Sequence, residues 1–405
     1  MSDHTHLSRR DFLRQSAQLT LAASGSLVVG VNLTACAAAR PLAETGHWQA
    51  DAWIELTPDN RVIFTLDRVE MGQGTYTGLT TLVAEELDVE PTRIEVRFAP
   101  VGDAYRNPLF KLQLTGGSTS LATSWERLRN AGAGTRAVLV AAAARIWQVD
   151  AASLRTEDGQ VFRADGRALA YGQLLELAAR ERMPSSPRLK AAADYRYIGK
   201  RNARLDAAAK VTGTAVYGID VSVPGMLHAV LVRPPRIGAR VGEVDASAAL
   251  AMPGVVEVVS IERGVALVAD TYWRARKAAG ALVITWDERE ALSLSDEDVL
   301  ALYRRAAADD DGETERHDGR VDHALRGAGD VVEAEYQVPF LAHATMEPMN
   351  CTVAETERGL EIWAPTQAPD LARIAAARVT RYSPGDIHVH TTFLGGGFGR
   401  RLTQD

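Results

Sequence analysis

Cysteine is almost absent from this 405-residue chain, which carries only Cys36 and Cys351. A four-thiolate zinc site or an iron–sulfur cluster needs about four cysteines, so any electron carrier used here must be borrowed. Lysine is nearly as scarce, at five residues, and arginine supplies most of the basic charge. The 45 Lys+Arg face 52 Asp+Glu, a net charge of −7, which leaves no basic field for a nucleic acid. Aromatic residues make up 6%, and the one uncharged run of about 20 residues lies near the amino terminus, which argues against a polytopic membrane protein. What is present, 46% hydrophobic and 24% charged residues, is the make-up of a soluble globule. At roughly 100–200 residues per domain, the length allows two to four domains.

That long uncharged stretch, Leu19 to Ala39, follows Ser8-Arg9-Arg10-Asp11-Phe12-Leu13. Paired arginines before Phe-Leu and a Gly/Ala/Ser-rich run read as a twin-arginine export signal, not as an amphipathic helix or a stable membrane anchor. Leu33-Thr34-Ala35-Cys36 also reads as a lipoprotein cleavage box that would lipidate Cys36, with ordinary cleavage within Ala35–Ala39 as the equal alternative. The expected location is the periplasm, with membrane attachment only through a lipid on Cys36. Twin-arginine export carries folded proteins, typically ones already loaded with a cofactor.

Beyond this leader, Ala52–Leu56 and Arg61–Leu66 read as strands around the turn Pro58-Asp59-Asn60. Leu79, Leu82, Val83, Ala84 and Leu87 recur at helical spacing over Thr75–Leu87, and Ile94–Phe98 alternates as a strand. Met71-Gly72-Gln73-Gly74 therefore lies where a strand feeds a helix, a place where free N–H groups and the helix dipole favour an anion. Alone, the motif is equally a tight turn. A second loop, Thr115-Gly116-Gly117-Ser118-Thr119-Ser120, precedes a long helical pattern from about Leu121 to Trp147, with simple helix capping as the plainer reading of its hydroxyls. Two such loops suggest a ligand with several phosphate or polar groups, such as a dinucleotide.

Pro184-Ser-Ser-Pro187 opens a linker that reaches about Leu205. Thr214–Val221, Leu227–Arg233, Val255–Ile261, Val265–Ala269 and Leu282–Trp286 then read as strands, and Ala246–Ala251 and Thr271–Ala279 as helices, of a compact α+β module. That module holds no catalytic constellation, and His228 reads as an ordinary strand residue. The acidic stretch Asp309–Asp318 reads as a solvated loop. Leu360–Trp363, Asp370–Val379 and Ile387–Thr391 repeat the first strand-helix-strand, with Pro91, Ile94 and Val96 falling on Pro384, Ile387 and Val389 at one constant offset. Directly afterwards, Gly395-Gly396-Gly397-Phe398-Gly399-Arg400-Arg401 suits close backbone approach to a cofactor, with two arginines for charge. His388 and His390 share a strand face but lack a third ligand, so they read as a partly exposed face, and Cys351 reads as a buried small residue.

Four stretches in this order and spacing, Met71–Gly74, Thr115–Ser120, Thr345–Asn350 with Trp363-Ala-Pro-Thr-Gln367, and Gly395–Arg401, resemble the molybdopterin-binding subunit of the xanthine dehydrogenase superfamily. The likeness is to the branch of isoquinoline 1-oxidoreductase beta subunits and exported aldehyde dehydrogenases. Lys210–Gly218 and Pro224–His228 resemble that family's α/β hammerhead domain. The resemblance implies an α+β protein in which molybdopterin-binding α/β domains flank a hammerhead domain, the second of them truncated. It divides the chain into the export signal 1–36, a first molybdopterin-binding domain 47–183, a linker 184–205, the hammerhead 206–308, an acidic loop 309–325 and the start of a second molybdopterin-binding domain 326–405.

By the same resemblance, Gly72, Gln73, Gly74, Gly117, Ser118, Thr119 and Ser120 would hold the pterin and nucleotide phosphates of a molybdenum–molybdopterin cytosine dinucleotide. Gly396, Gly397, Phe398, Gly399 and Arg400 would pack around the metal, and Gln367 would point its amide at an oxygen ligand of molybdenum; no side chain is assigned as a metal ligand. The implied activity is a molybdenum hydroxylase acting on an aldehyde or N-heterocycle with oxygen from water. Its electrons would leave through a separate small subunit carrying [2Fe–2S] clusters to a c-type cytochrome acceptor. Two departures stand out. Arg400-Arg401-Leu402 occupy the places of the family's Gly-Lys-Glu, which argues against a purine substrate. The family's general base, a Glu in Gly-Val-Gly-Glu, is not in this chain; Glu347 beside Pro348 is the nearest carboxylate, with a structural role expected. The chain is thus expected to be about half of a large subunit. The other reading is a truncated, non-catalytic exported lipoprotein that binds part of the cofactor or docks the partner subunit. An ordinary NAD-dependent dehydrogenase is disfavoured, since no full Gly-x-Gly-x-x-Gly joins a strand to a helix.

Overall fold

The computed structural model describes residues 47–309 and 312–404; the expected export signal and the Cys36 box lie outside the described residues. The chain divides into two compact units, one formed up to Val221 and again from His343, the other by Ser222–Ala342.

In the first unit, β1 (Trp48–Gln49), β2 (Ile54–Leu56) and β3 (Val62–Leu66) are antiparallel neighbours. Helix α1 (Thr75–Leu87) then crosses over to β4 (Ile94–Phe98), which runs parallel to β3. Val62, Ile63, Phe64 and Leu66 of β3 are all buried, as befits a strand covered on both faces. Leu79, Leu82, Val83, Ala84 and Leu87 of α1 meet them, and each large apolar side chain removed from water contributes about 1.5–3 kcal/mol. Helix α2 (Ser120–Trp147) packs on α1. The crossing is close because of Gly132, where a methyl group would lie 2.9 Å from Glu86 Cβ and 3.1 Å from Val83 O. A small sheet of β5 (Arg155–Glu157), β6 (Gln160–Phe162) and β7 (Ala168–Ala170), with the short helix α3 (Leu175–Ala178), completes this part.

Residues 184–205, expected as a linker, instead strap α1. Glu85 and Glu86 of α1 are fully buried, which would be prohibitive for unpaired carboxylates. The strap supplies their partners: the N–H groups of Arg196, Tyr197 and Ile198 donate to Glu85 at 2.7–3.1 Å, and Lys190 Nζ reaches Glu85 at 3.2 Å. Burial alone would raise the Glu85 carboxyl, but these N–H donors and Lys190 outweigh it and hold it below its ordinary range. Glu86 takes Arg129 Nε at 2.9 Å and the Lys190 N–H.

The strand expected at Thr214–Val221 does not form. Helix α4 (Ala207–Val211) precedes a 3₁₀ turn at Gly218–Asp220, because the Asp220 carboxylate takes the Tyr217 N–H at 3.0 Å and closes the chain on itself. The second unit accordingly begins at Ser222, not at residue 206. It contains β8 (His228–Val232), β9 (Arg240–Asp245), α5 (Ser247–Leu250), β10 (Val255–Ile261), β11 (Gly264–Ala269), α6 (Tyr272–Ala279), β12 (Val283–Asp287), α7 (Asp296–Ala308) and α8 (Val321–Gly327). One sheet runs β10-β11-β8 and a second pairs β12 with β9. Strand β9 escapes the sequence pattern because Gly242 and three charged residues break its alternation; the glycine lets Thr285 O of β12 approach, where a Cβ would stand 2.7 Å away. Helix α8 begins past the Asp309–Asp318 stretch, within the segment 309–325 expected as an acidic loop, and residues 328–342 follow with no helix or strand.

The chain re-enters the first unit with β13 (Thr352–Thr356), β14 (Gly359–Ala364), α9 (Pro369–Val379) and β15 (Ile387–Thr391). Strands β13 and β14 are antiparallel and β14 and β15 parallel, joined across α9. The order matches β2-β3-α1-β4, down to the 3₁₀ turns Pro91–Arg93 and Pro384–Asp386 before each last strand, so the offset seen in the sequence is a repeated βαβ. No helix among the described residues is long and apolar enough to cross a membrane. For Glu85→Ala, which strips three N–H groups of their acceptor and leaves Lys190 with Asp88 alone, we expect a loss of about 3 kcal/mol in denaturant unfolding, whereas Arg155→Ala on the surface should cost under about 0.5 kcal/mol.

Candidate functional site

The loop leaving β3 is fixed from within. Glu70 is fully buried, and its Oε1 accepts the N–H groups of Gly72 at 2.8 Å and Gly74 at 3.2 Å. Its Oε2 accepts Tyr76 N–H at 2.9 Å, so the amino end of α1 already holds an anion supplied by the chain itself. The expectation that this helix start is open to a phosphate is corrected accordingly. Arg204 Nη2 and Lys210 Nζ stand 3.0 and 3.8 Å from Glu70 Oε1, and both also pair with Asp206. Gln73 locks the same loop, taking Met71 N–H at 2.8 Å on its oxygen and giving its amide hydrogen to Val69 O at 2.9 Å. What the loop leaves open is its surface: Gly72 and Gly74, at φ 112° and 92°, have nothing within 4 Å of where a Cβ would stand. A flat ligand can approach the backbone there.

The loop before α2 behaves oppositely. Thr119, at its N-cap, puts its hydroxyl on Gly116 O at 2.8 Å and receives Asn107 Nδ2 at 2.8 Å, so it is engaged in holding the loop. No side chain caps this 28-residue helix, and the N–H groups of its first turn stay open beside the hydroxyls of Ser118 and Ser120. Gly117 and Ser118 are exposed and both have positive φ. An anion that comes to this unit finds its helix end here.

Thr115 joins this loop to the others. Its Oγ1 accepts Val69 N–H at 3.0 Å, its N–H donates to Gln367 O at 2.8 Å, and its carbonyl accepts Gln367 Nε2 at 3.0 Å. With the amide nitrogen committed to a carbonyl, the atom that Gln367 leaves over is Oε1, buried and without a hydrogen-bond partner. The free function is therefore an acceptor, whereas the resemblance implied a donor toward a metal oxygen. Gly397 lies directly against it: a Cβ there would stand 2.7 Å from Gln367 Oε1 and 2.5 Å from Met71 Sδ, so only glycine fits. The N–H groups of Gly396, Gly397, Phe398 and Gly399 donate to nothing among the described residues. Phe398 is 72% exposed with φ 54°, a conformation that costs a non-glycine residue about 1–3 kcal/mol and marks functional loops. Arg400 donates to Thr403 Oγ1 at 2.7 Å. Arg401, expected to offer charge to a ligand, is instead buried and bonded inward.

The stretches around 71, 115, 367 and 397, scattered through the sequence, thus meet at one face. An orphaned buried acceptor, a row of open N–H groups, two uncovered glycines and an uncapped helix end make a donor set suited to a large group rich in ring nitrogens, carbonyls and phosphates. The other candidates lie apart. His390 bonds to the Glu361 carboxylate and stacks on Trp363 at 5.0 Å, and His388 reaches Arg358 O at 3.2 Å. Among the described residues no three His, Cys, Asp or Glu are grouped to hold a metal. Cys351, expected to be buried, is exposed at the entry to β13.

Comparison with known proteins decides the family. Residues 10–225 match the model of the molybdopterin cofactor-binding domain, more than half of the chain, and residues 306–405 match a second model of the same description. The chain belongs to the molybdopterin cofactor-binding family. Within the xanthine dehydrogenase superfamily, the relatives place it in the branch expected from the motifs. Isoquinoline 1-oxidoreductase subunit beta of Brevundimonas diminuta is 33% identical over 98% of this chain and 56% of its own length. The membrane-bound aldehyde dehydrogenase (pyrroloquinoline-quinone) of Gluconacetobacter polyoxogenes is 30% identical over 90% of this chain and 48% of its own. The chain therefore spans about half the length of these curated relatives. Among solved structures, the aldehyde oxidoreductase of Desulfovibrio gigas aligns with 58% of this chain and 31% of its own at 20% identity, with a TM-score of 0.40.

In this member of the molybdopterin-binding family, sequence reasoning missed Glu70, Arg204, Asp206 and Lys210, which hold the Met71–Gly74 loop in place. The available signal was a carboxylate directly ahead of a glycine-rich helix start. Burial would raise the Asp206 carboxyl, but hydrogen bonds from Arg204 and Lys210 outweigh it and bring it down to about 2. A carboxyl lowered on folding stabilises the protein above its unfolded value, near 4, and loses that contribution as the pH falls toward 2. The melting-temperature gap between wild type and Asp206→Asn should therefore be widest above pH 5 and narrow steadily from pH 4 to pH 2.5; a gap independent of pH would refute the assignment.

Proposed function

We propose that this chain is the molybdenum-cofactor-binding portion of an exported oxidoreductase that hydroxylates an aldehyde or N-heterocycle with oxygen drawn from water. The observation that carries the reading is the convergence of Gln367 Oε1, left buried without a partner, with the open N–H groups of Gly396–Gly399 and the uncovered backbone at Gly72 and Gly74. The molybdenum–molybdopterin cytosine dinucleotide fits this donor set. When bound, that cofactor supplies two-electron oxidation of the substrate carbon.

The chain's own residues bind and orient. Gln367 Oε1 needs a donor, and a pterin ring N–H or amino group satisfies it at no cost to the Thr115 bond. Gly72 and Gly74 let the flat ring system lie against the backbone, with Glu70 keeping the loop rigid beneath. Phosphates belong at the start of α2, where the open first-turn N–H groups and Ser118 and Ser120 face solvent. The N–H groups of Gly396–Gly399 present donors to oxygen atoms on the metal side. The stretch Ser8–Leu13 with its apolar run supports export to the periplasm, the two-cysteine composition supports transfer of electrons to a separate [2Fe–2S] subunit, and the family resemblance implies a cytochrome acceptor beyond it.

Expression from the native locus with the host's maturation factors tests this reading. Molybdenum and a fluorescent pterin are expected in near-equal amounts in the purified protein, and Gly397→Ala should lower both at least fivefold with little change in melting temperature. A wild-type protein that carries neither molybdenum nor pterin would refute it.

A further inference from the structure

Arg401 has a fully buried side chain, and all of its bonds run inward. Nε donates to Gly396 O at 2.8 Å, Nη1 to Pro365 O at 3.2 Å, and Nη2 to Glu347 O at 2.6 Å and Glu347 Oε2 at 3.0 Å. The carbonyl of Arg401 in turn accepts Gln367 N–H at 2.9 Å and the Thr366 hydroxyl at 3.2 Å. Glu347, itself buried, has its carboxylate filled by Gly395 N–H, Ile219 N–H and Asn350 Nδ2 in addition to Arg401. One guanidinium therefore grips a backbone carbonyl in each of three loops, at 347, 365 and 396, and two of these carry the open acceptor and the open donors of the site.

We propose that Arg401, held by Glu347, is a positioning residue that sets the register between Gln367 Oε1 and the N–H groups of Gly396–Gly399. The inference rests on the cofactor reading only for what the face binds, not for how the face is held. Plain stabilisation is a different claim and is separable from it. Replacing a buried ion pair by apolar residues is often neutral for stability, but apolar side chains cannot hold three carbonyls at fixed offsets. Lysine keeps the charge opposite Glu347 yet presents a point of donors in place of a planar fork. Arg401→Lys should therefore loosen the register without leaving Glu347 uncompensated.

Hydrogen exchange followed by mass spectrometry, on protein expressed from its native locus, reads this directly alongside molybdenum and pterin content. In Arg401→Lys the amides of Gln367, Gly395 and Arg400 should exchange at least tenfold faster while those of β3 and α1 are unchanged, and the cofactor content should fall. The double variant Arg401→Met with Glu347→Met should recover the melting temperature but neither the loop protection nor the cofactor content; it carries the comparison if the lysine variant fails to fold. Wild-type exchange in Arg401→Lys, or loop protection restored in the double variant, overturns the proposal. Loss of the cofactor reading looks different: wild-type protein would then hold no molybdenum or pterin while the exchange difference persisted.

Discussion

Thr115 and Gln367 hold each other twice across 252 residues of sequence, backbone N–H to backbone carbonyl in one direction and side-chain amide to backbone carbonyl in the other. Everything else at the candidate site hangs on that pair. Val69 N–H reaches Thr115 Oγ1 and Gln367 N–H reaches Arg401 O, so a continuous line of hydrogen bonds runs from the loop after β3, through the loop before α2, to the glycine loop after β15. Each of the two βαβ modules has its own apolar core, built on Phe64, Leu79 and Leu87 in one and on Leu360, Ile362 and Val389 in the other. The cores would not by themselves align the loops. Burial is non-directional, whereas a paired set of hydrogen bonds fixes distance and angle together.

Two helices of one unit begin with similar glycine-rich loops yet present opposite electrostatics. At α1 the partial positive charge is met by Glu70, and the charge of Glu70 is answered by Arg204 and Lys210, so the assembly is closed on itself. At α2 nothing of the kind occurs, and the dipole of a 28-residue helix faces outward. The difference separates two motifs that look alike in sequence: the first is a rigid floor closed on itself, and the second leaves its helix start open to an anion. Both depend on glycine, the first for access over its surface and the second for the left-handed turn at Gly117.

Much of this architecture was legible in the sequence. Alternation at Ile94–Phe98 and Ile387–Thr391 marks those strands because one face of each is the more buried, and the helical spacing at Leu79–Leu87 marks the face of α1 that meets the apolar core, although its polar face is buried as well. Thr214–Val221 misled for the complementary reason: its residues have strand propensity, but Asp220 captures the Tyr217 N–H, so pairing stops at a single bridge between Tyr217 and Phe393. The site residues fared similarly. Glycine loops announce themselves, since few other residues tolerate such conformations, and the family resemblance followed from their order. The destinations of Glu70, Glu347 and Arg401 were not legible, because whether a charged residue faces solvent or the interior is decided by partners distant in sequence, more than a hundred residues away for Glu70 and Glu347 and 54 for Arg401 with Glu347. The strap at residues 190–198 was hidden in the same way, its polar composition resembling a linker until Glu85 and Glu86 are seen to require it.

The pairing of Thr115 with Gln367 also has a meaning in time. A ribosome adding about 5–20 residues per second needs very roughly 10–50 s to travel between them. During that interval the first βαβ, with Glu70 seated on α1, can already be a finished object, while the face it will share is still missing its other wall. The second unit is synthesised in the gap. Closure of that face therefore waits for the later of its two walls, and a large ligand held by both finds the face complete only once the glycine loop at 395–399 has been translated.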